Sequence, residues 1–534
     1  MLVTSLLAPT IALAQDVKIT SDERKKAEAI TAKQLSDYLH VVASDEMGGR
    51  DTPSPGLDMT AEFLKKNLEK WKFKPAGDNG TFFQKIELTR ELLNPETAKL
   101  EVGGQAYKFG DDFLRLAGSG TANGPLVFVK DGWMVKSKGI DAFAGVDVAG
   151  KIVVIAPAGF AQRTITPRPS GISQADLAGA PGEGWADPVT YAARKGAAGI
   201  IVVAPPQLAA NWAGLRNNVG RGGLIPEKLR AAPPGGRTIP VMVVSKPVGD
   251  ALFTGESGNA SSENAFELKK SANFTLQTKK ESAWTQNVVA LWEGSDPALK
   301  KEMVAIGAHY DHVGTRPDAQ GPDKIWNGAD DDGSGTVAVL GIAEALASSK
   351  ERPKRSVLLV WHCGEEKGLW GSDYFNKFPS VDIKNVITQL NIDMIGRSKP
   401  EGDTNPRNKD LTGPNGVYVI GSEMMSSTLG AITKGTNSAF LNLGYDYRYD
   451  DPNDTNRFFF RSDHFHYAQN GIPIVFWFDG VHQDYHGPDD NADKIDYQKM
   501  EKIARTIFLT MWELTDLKER PKIDKQLPPE LTQR

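Results

Sequence analysis

The sequence predicts an α/β protein, with a mixed, mostly parallel central sheet flanked by helices and interrupted by a small β-rich insert. Three observations carry this. After about residue 283, near-continuous apolar runs alternate with helical patterns, as strands covered on both faces do. Acid- and His-bearing segments follow the ends of those runs, where open α/β sheets place their sites. Between 115 and 275 the texture changes to short β-rich runs separated by long Gly-, Pro- and Ala-rich connections. A length of 534 residues exceeds one ordinary core and predicts two or three domains.

Residues 1–15, at the start of the chain, are apolar and end in the small-x-small triplet Ala12-Leu13-Ala14, like the later part of a secretory signal without its basic start. They predict export to a periplasm or to the medium, and the near-absence of cysteine points to a bacterium. Residues 16–114 begin the main domain. Ala27, Ile30, Leu35 and Tyr38, and then Ala61, Phe63, Leu64, Leu68 and Trp71, recur at helical spacing. A Gly- and Pro-dense loop, 44–56, separates them.

The insert, 115–275, carries strand candidates at 126–129, 151–155, 199–203 and 239–244, with a helix at 188–195 before the third. None of the eight His residues lies there, so it is expected to do no metal chemistry. Residues 276–516 resume the main domain. Strands are expected at 287–292, 303–308, 356–361, 386–392, 416–420 and 472–477, with helices at 335–347 and 497–514. The charged, Pro-bearing tail 517–534 is expected to be loose.

Composition excludes several partners. Lys and Arg number 62 and Asp and Glu 67, a net charge of −5, which argues against nucleic acid or an anionic membrane. No stretch reaches the roughly 18 apolar residues of a membrane span. Cys363 is the one cysteine, so no intrachain disulfide forms. It follows an apolar run and reads as a buried, inert thiol.

The chemistry concentrates in five segments: His309-Tyr310-Asp311, Gly328–Gly335, Gly364-Glu365-Glu366, Asn391–Met394 and Asp484-Tyr485-His486. Imidazoles and carboxylates are the donors that zinc-like divalent ions take. Two ions roughly 3.5–4 Å apart can turn a water between them into a nucleophile. His309 and Asp311 point the same way on an extended chain, so Asp311 can fix the imidazole tautomer. Asp330, Asp331 and Asp332 precede a helix start with Ser334 as its expected cap, and three adjacent acids repel unless a cation neutralises them. Glu365 and Glu366 can divide the roles of base and ligand. Asp393 ends an apolar strand, where either a metal or Arg397 would have to meet its charge.

The order and spacing of these segments resemble the di-zinc family of bacterial leucyl-type aminopeptidases and glutamate carboxypeptidases, over most of 25–110 and 283–515. The resemblance implies a zinc-peptidase fold and two zinc ions. One zinc would take His309 and Asp393, the other Glu366 and His486, with Asp331 bridging both. It also implies a cis peptide at Asp331–Asp332, Glu365 as general base and then acid, and Tyr485 as donor to the oxyanion. The loop bearing Gly48-Gly49-Arg50, and Arg461–Phe465, resemble family features that shape the site, with His464 structural. The insert resembles a protease-associated (PA) domain, on 150–154 and 192–203.

The activity this resemblance implies is that of an exopeptidase removing N-terminal residues from peptides with a free amino terminus. A carboxypeptidase of the glutamate-releasing kind is the alternative, with Arg457 and Arg461 as cations for the substrate carboxylate. A non-catalytic receptor-like binding protein and a one-zinc, glutaminyl-cyclase-like enzyme are the remaining readings. The aromatic-rich segment 423–460 is expected to contribute to the substrate pocket.

Overall fold

The computed structural model describes residues 17–161, 164–219, 222–230, 232 and 237–532. The expected signal-like segment 1–15 lies outside them. The chain forms two compact units, one from the residues up to Glu87 together with those from Trp284 onward, the other from Leu88–Ala283.

In the first unit Met303–His309 pairs in parallel with Ser356–His362 on one side and Val386–Ile392 on the other. Val386–Ile392 pairs in parallel with Ile474–Phe478. Antiparallel partners close both flanks: Val288–Trp292 against Ser356–His362, and Gly416–Ile420 against Ile474–Phe478. Every residue of the four parallel strands is buried. Their largely apolar runs follow from that, since a strand covered on both faces has no solvent side to mark with polar residues; Val386–Ile392 buries Thr388, Gln389 and Asn391 as well.

Helices Gly335–Ser348 and Tyr497–Asp516 pack against Met303–His309, joined by Ala32–Val42. Gly335–Ser348 is apolar on nearly all sides because it lies between sheet and helices. Thr31 caps Ala32–Val42, its hydroxyl accepting the N–H of Gln34 while Gln34 reaches back to the Thr31 N–H. An apolar cluster containing Val360, Phe375, Phe465, Tyr467 and Phe476 packs helices Trp370–Lys377 and His464–Gln469.

Leu88–Ala283 holds an eight-stranded sheet. Its centre is parallel: Gly120–Phe128, Ile152–Ile155, Gly199–Val203 and Val241–Val244. This unit reaches further toward the N-terminus than 115, because Lys99–Val102 pairs with Phe266–Leu276 in the same sheet.

The C-terminal tail is not loose. Leu531 is buried in the apolar cluster, Arg520 Nε lies 2.7 Å from Glu302, and Asp524 accepts the N–H of Ser427 at 2.9 Å. Arg520 and Asp524 thus tie it to the body of the unit, while Lys518, Glu519, Lys522 and Lys525 face solvent. Among the described residues no helix is long and apolar enough to cross a membrane.

Candidate metal centre

The site sits at the carboxyl ends of the four parallel strands. His309 closes one strand, and Glu365 and Glu366 follow the next by two residues of turn. Asp393 directly follows the third, and His486 lies on the loop after Ile474–Phe478. Asp331 comes from the turn before helix Gly335–Ser348.

These side chains form two donor clusters that share Asp331: His309, Asp331 and Asp393 in one, and His312, Asp331, Glu366 and His486 in the other. The two oxygens of Asp331 face different clusters. Oδ1 lies 3.3 Å from His309 Nε2. Oδ2 lies 3.0 Å from His486 Nε2 and 3.6 Å from His312 Nδ1. His309 Nε2 is also 3.7 Å from Asp393 Oδ2, and His486 Nε2 is 3.0 Å from Glu366 Oε2. Donors bonded to one tetrahedral zinc at ~2.0–2.1 Å lie about 3.3 Å apart, so both clusters are near coordinating size.

The donor set fits a pair of divalent cations on two further counts. Buried Asp331 Oδ2, Glu366 Oε1 and His486 Nε2 have no hydrogen-bond partner. Among the described residues no Lys or Arg forms a salt bridge with Asp331, Glu365, Glu366 or Asp393; the ion-pair partners within 4.0 Å are imidazoles. The protonation equilibria register the same crowding. Burial alone would lower His486, yet Asp331 and Glu366 raise it to about 10. Burial pushes Asp393 up against the pull of His309, and pushes Glu365 well above the usual carboxyl range, aided by Glu366, Asp393 and Asp463. Burial would raise Asp331 too, but His309 and His486 hold it well below.

Of the three consecutive acids, Asp331 alone faces the clusters. Asp330 Oδ1 accepts the N–H of Gly396 at 2.7 Å, and Asp332 Oδ1 accepts those of Met394 at 3.1 Å and Gly335 at 2.9 Å. These two carboxylates therefore tie the Asp331 turn to the loop that follows Asp393. Asp490 accepts the backbone N–H groups of both Asp330 and Asp331, at 3.0 and 3.1 Å. The peptide bond Asp331–Asp332 is cis. Ser334 is not the helix cap: its hydroxyl donates to the Asp330 carbonyl and accepts from Ile395, and Asp332 meets the first helical N–H in its place.

Arg50 lies beneath the site, fully buried, with four carbonyls around its guanidinium. It donates to Tyr310 at 2.9 Å, Val42 at 2.8 Å, Asn327 at 2.6 Å and Gly328 at 2.8 Å. It thereby joins the segment carrying His309 to the segment carrying Asp331. Gly49 is obligatory in this loop: at φ +68°, a Cβ there would meet the Trp326 carbonyl at 2.5 Å.

Asp311 does not face the clusters directly. Its backbone carbonyl is 3.1 Å from His309 Nδ1 and its carboxylate 3.6 Å, while Oδ1 accepts the Glu365 N–H at 3.1 Å. It ties the His309 loop to the Glu365 loop. Glu365 Oε2 lies 4.0 Å from His309 Nε2. Tyr485 stacks on His486 with ring centroids 3.9 Å apart, and its hydroxyl accepts from Arg461 at 3.3 Å. Arg397 pairs not with Asp393 but with Asp484 at 2.6 Å and Asp490 at 3.4 Å.

A pocket opens above His309, Asp331, Glu365 and Asp393. Phe458, Phe476, Phe478 and Val481 form its apolar wall, with Tyr485 and Arg461 at its edge. Within 423–460, Phe458 alone reaches the pocket; Phe459 and Phe460 are buried in the apolar cluster. Arg457 lies 4.4 Å over the Phe460 ring and does not line the pocket. His464 is buried and stacked on Phe476, a packing role. Cys363 is buried, and burial pushes its thiol far up. His312 is the donor that the sequence pattern does not single out, although it follows Asp311 directly.

Comparison with known proteins adds family and domain. Residues 287–511 match the model of peptidase family M28, and residues 122–252 match that of the PA domain. A probable leucine aminopeptidase of Arthroderma benhamiae is 30% identical over 228 residues, 41% of this chain and 56% of that protein. Leupeptin-inactivating enzyme 1 of Streptomyces exfoliatus is 34% identical over 128 residues, 24% of this chain and 26% of that protein. The chain thus spans about half the length of the first of these relatives. The aminopeptidase from Aneurinibacillus sp. strain AM-1 is 17% identical at a TM-score of 0.49, over 94% of this chain and 98% of that one. With its donor clusters inside the matched residues, the chain carries a peptidase family M28 domain together with a PA domain.

Proposed function

We propose that this protein is an exported di-zinc aminopeptidase that removes N-terminal residues from peptides. The observation that carries the reading is the sharing of Asp331 between two donor clusters, with Glu365 at their edge and an apolar pocket above. The names of the curated relatives, probable leucine aminopeptidases among them, support the exopeptidase class. Export rests on the signal-like character of residues 1–15.

Two zinc ions held there would polarise a peptide carbonyl and acidify water. The chain's own residues do the rest. Glu365 takes the proton of the attacking water and returns it to the leaving amine; a carboxyl whose pKa is raised by burial suits both transfers. Because the Tyr485 oxygen accepts from Arg461, its own proton is free to be donated to the developing oxyanion. Phe458, Phe476, Phe478 and Val481 accept an apolar side chain from the substrate's first residue. A carboxypeptidase would need cations for the substrate carboxylate, and of the two candidates only Arg461 reaches the pocket.

The test is Glu365→Gln, assayed on free and N-terminally blocked peptides with metal analysis alongside. The expected result is a folded protein with two zincs, slower by at least ~100-fold, the scale of a lost acid–base group. Near-normal turnover would refute the role of Glu365, and faster cleavage of blocked than free peptides would refute the aminopeptidase assignment.

A further inference from the structure

His312 is fully buried, and neither of its ring nitrogens has a hydrogen-bond partner. A neutral imidazole carries one donor and one acceptor, and leaving both unmet out of water is costly. The ring is nonetheless held in one place. Its backbone N–H donates to the Arg50 carbonyl at 3.1 Å, which fixes the loop. Gly328 lies against its flank at φ +58°, and a Cβ there would sit 2.4 Å from the ring carbon Cγ. The ring stands edge-on to His486, with centroids 5.5 Å apart and planes at 71°.

This fixed position aims Nδ1 into the second cluster. It lies 2.9 Å from Glu366 Oε1, without the alignment of a hydrogen bond, and 3.6 Å from Asp331 Oδ2. These separations bracket the ~3.3 Å between donors on one tetrahedral zinc. We propose that His312 is a fourth protein donor to the metal held by Asp331, Glu366 and His486, so that the two metal positions are unequal. The position at His309 has three protein donors and keeps an open place, as catalytic zinc does; the position at His312 has four, as structural zinc does. The inference rests on the two-metal reading, and its consequence is an order of loading: the His312 position fills first and tightest.

The experiment is a zinc titration of metal-free full-length protein, followed by X-ray absorption of the fully loaded wild type. Wild type is expected to load in two resolved steps, with three imidazoles shared over two zincs. His312→Ala should weaken the tighter step by at least ~10-fold and bring the two steps together. If His312→Ala keeps both affinities, or wild-type absorption shows only two imidazoles per pair of zincs, the proposal is overturned and the two-metal reading stands. Should wild type load a single zinc, the two-metal reading itself falls. The absorption measurement needs no variant, so an unfolded His312→Ala leaves the question decidable.

Discussion

Replacing Arg50 by methionine removes a buried guanidinium and keeps most of the side chain's length. Four carbonyls lose a donor: those of Tyr310, Val42, Asn327 and Gly328. Gly328 retains a second partner in the N–H of Gly333 at 3.1 Å, which leaves three acceptors to count. An orphaned buried acceptor costs ~1–3 kcal/mol, so the gross loss is about 3–9 kcal/mol. Burial of the cation itself is unfavourable and is relieved by the change, although Asp311, Asp331, Asp332 and Asp490 favour the charge. The net therefore sits at the lower end, about 3 kcal/mol. In a unit of this size that is a fall in melting temperature of roughly 4 °C, measured by thermal scanning at saturating zinc. Zinc affinity should fall as well, since the Arg50 guanidinium joins the His309 and Asp331 segments. Arg50→Lys, with three donors at one atom, should fall between wild type and methionine. A methionine variant melting within about 1 °C of wild type, with unchanged zinc affinity, would show that the guanidinium is not what joins the two segments.

Two other outcomes are expected. Tyr485→Phe keeps the stacking on His486 and loses only the hydroxyl, so kcat should fall ~100-fold with zinc content and KM little changed; an unaltered kcat would confine Tyr485 to packing. Burial raises Asp450 to about 6 against the opposing N–H of Gly421, with Glu423 adding to the rise. An acid whose folded pKa is raised binds its proton more tightly when folded, so its stability contribution declines as pH rises from ~4 to ~6. Asp450→Asn should therefore be more stable than wild type at pH 7, by up to about 3 kcal/mol, with the gain gone near pH 3 in urea titrations; an equal gain at both pH values would remove the charge from the explanation.

The legible part of this fold is the part written in contiguous residues. The strand Val386–Ile392 matches the span expected from the sequence residue for residue, and Met303–His309 and Ser356–His362 extend theirs by one. A strand buried on both faces has nothing else to encode. What stayed hidden depends on partners far along the chain. The family pattern singles out Asp331, but Asp330 and Asp332 bind backbone N–H groups of residues 394–396, more than sixty residues away, and no local pattern states that task. The same holds for Ser334, which resembles a helix cap in isolation but bonds to Ile395. His312 is hidden for another reason: on an irregular loop no periodicity states which way a side chain points, and only the fold brings it beside Glu366.

The architecture separates three kinds of side chain by what their loss would change. The side chains of His309, Glu366, Asp393 and His486 meet mainly the donors of the two clusters, so losing one should lower metal affinity more than the stability of the metal-free protein. Asp330, Asp332 and Asp490 satisfy backbone groups and face no cluster, so losing one should lower both together. Glu365 stands at the pocket edge, 4.0 Å from His309, and holds neither backbone nor cluster, so its loss should leave both quantities in place and take the rate alone. Asp331 belongs to the first kind by its carboxylate and to the second by its backbone, since Asp490 grips its N–H while its two oxygens face separate clusters. On the two-metal reading proposed above, a carboxylate whose backbone is gripped from behind would present its two oxygens to separate ions, and Asp490 would act on the spacing of those ions through Asp331.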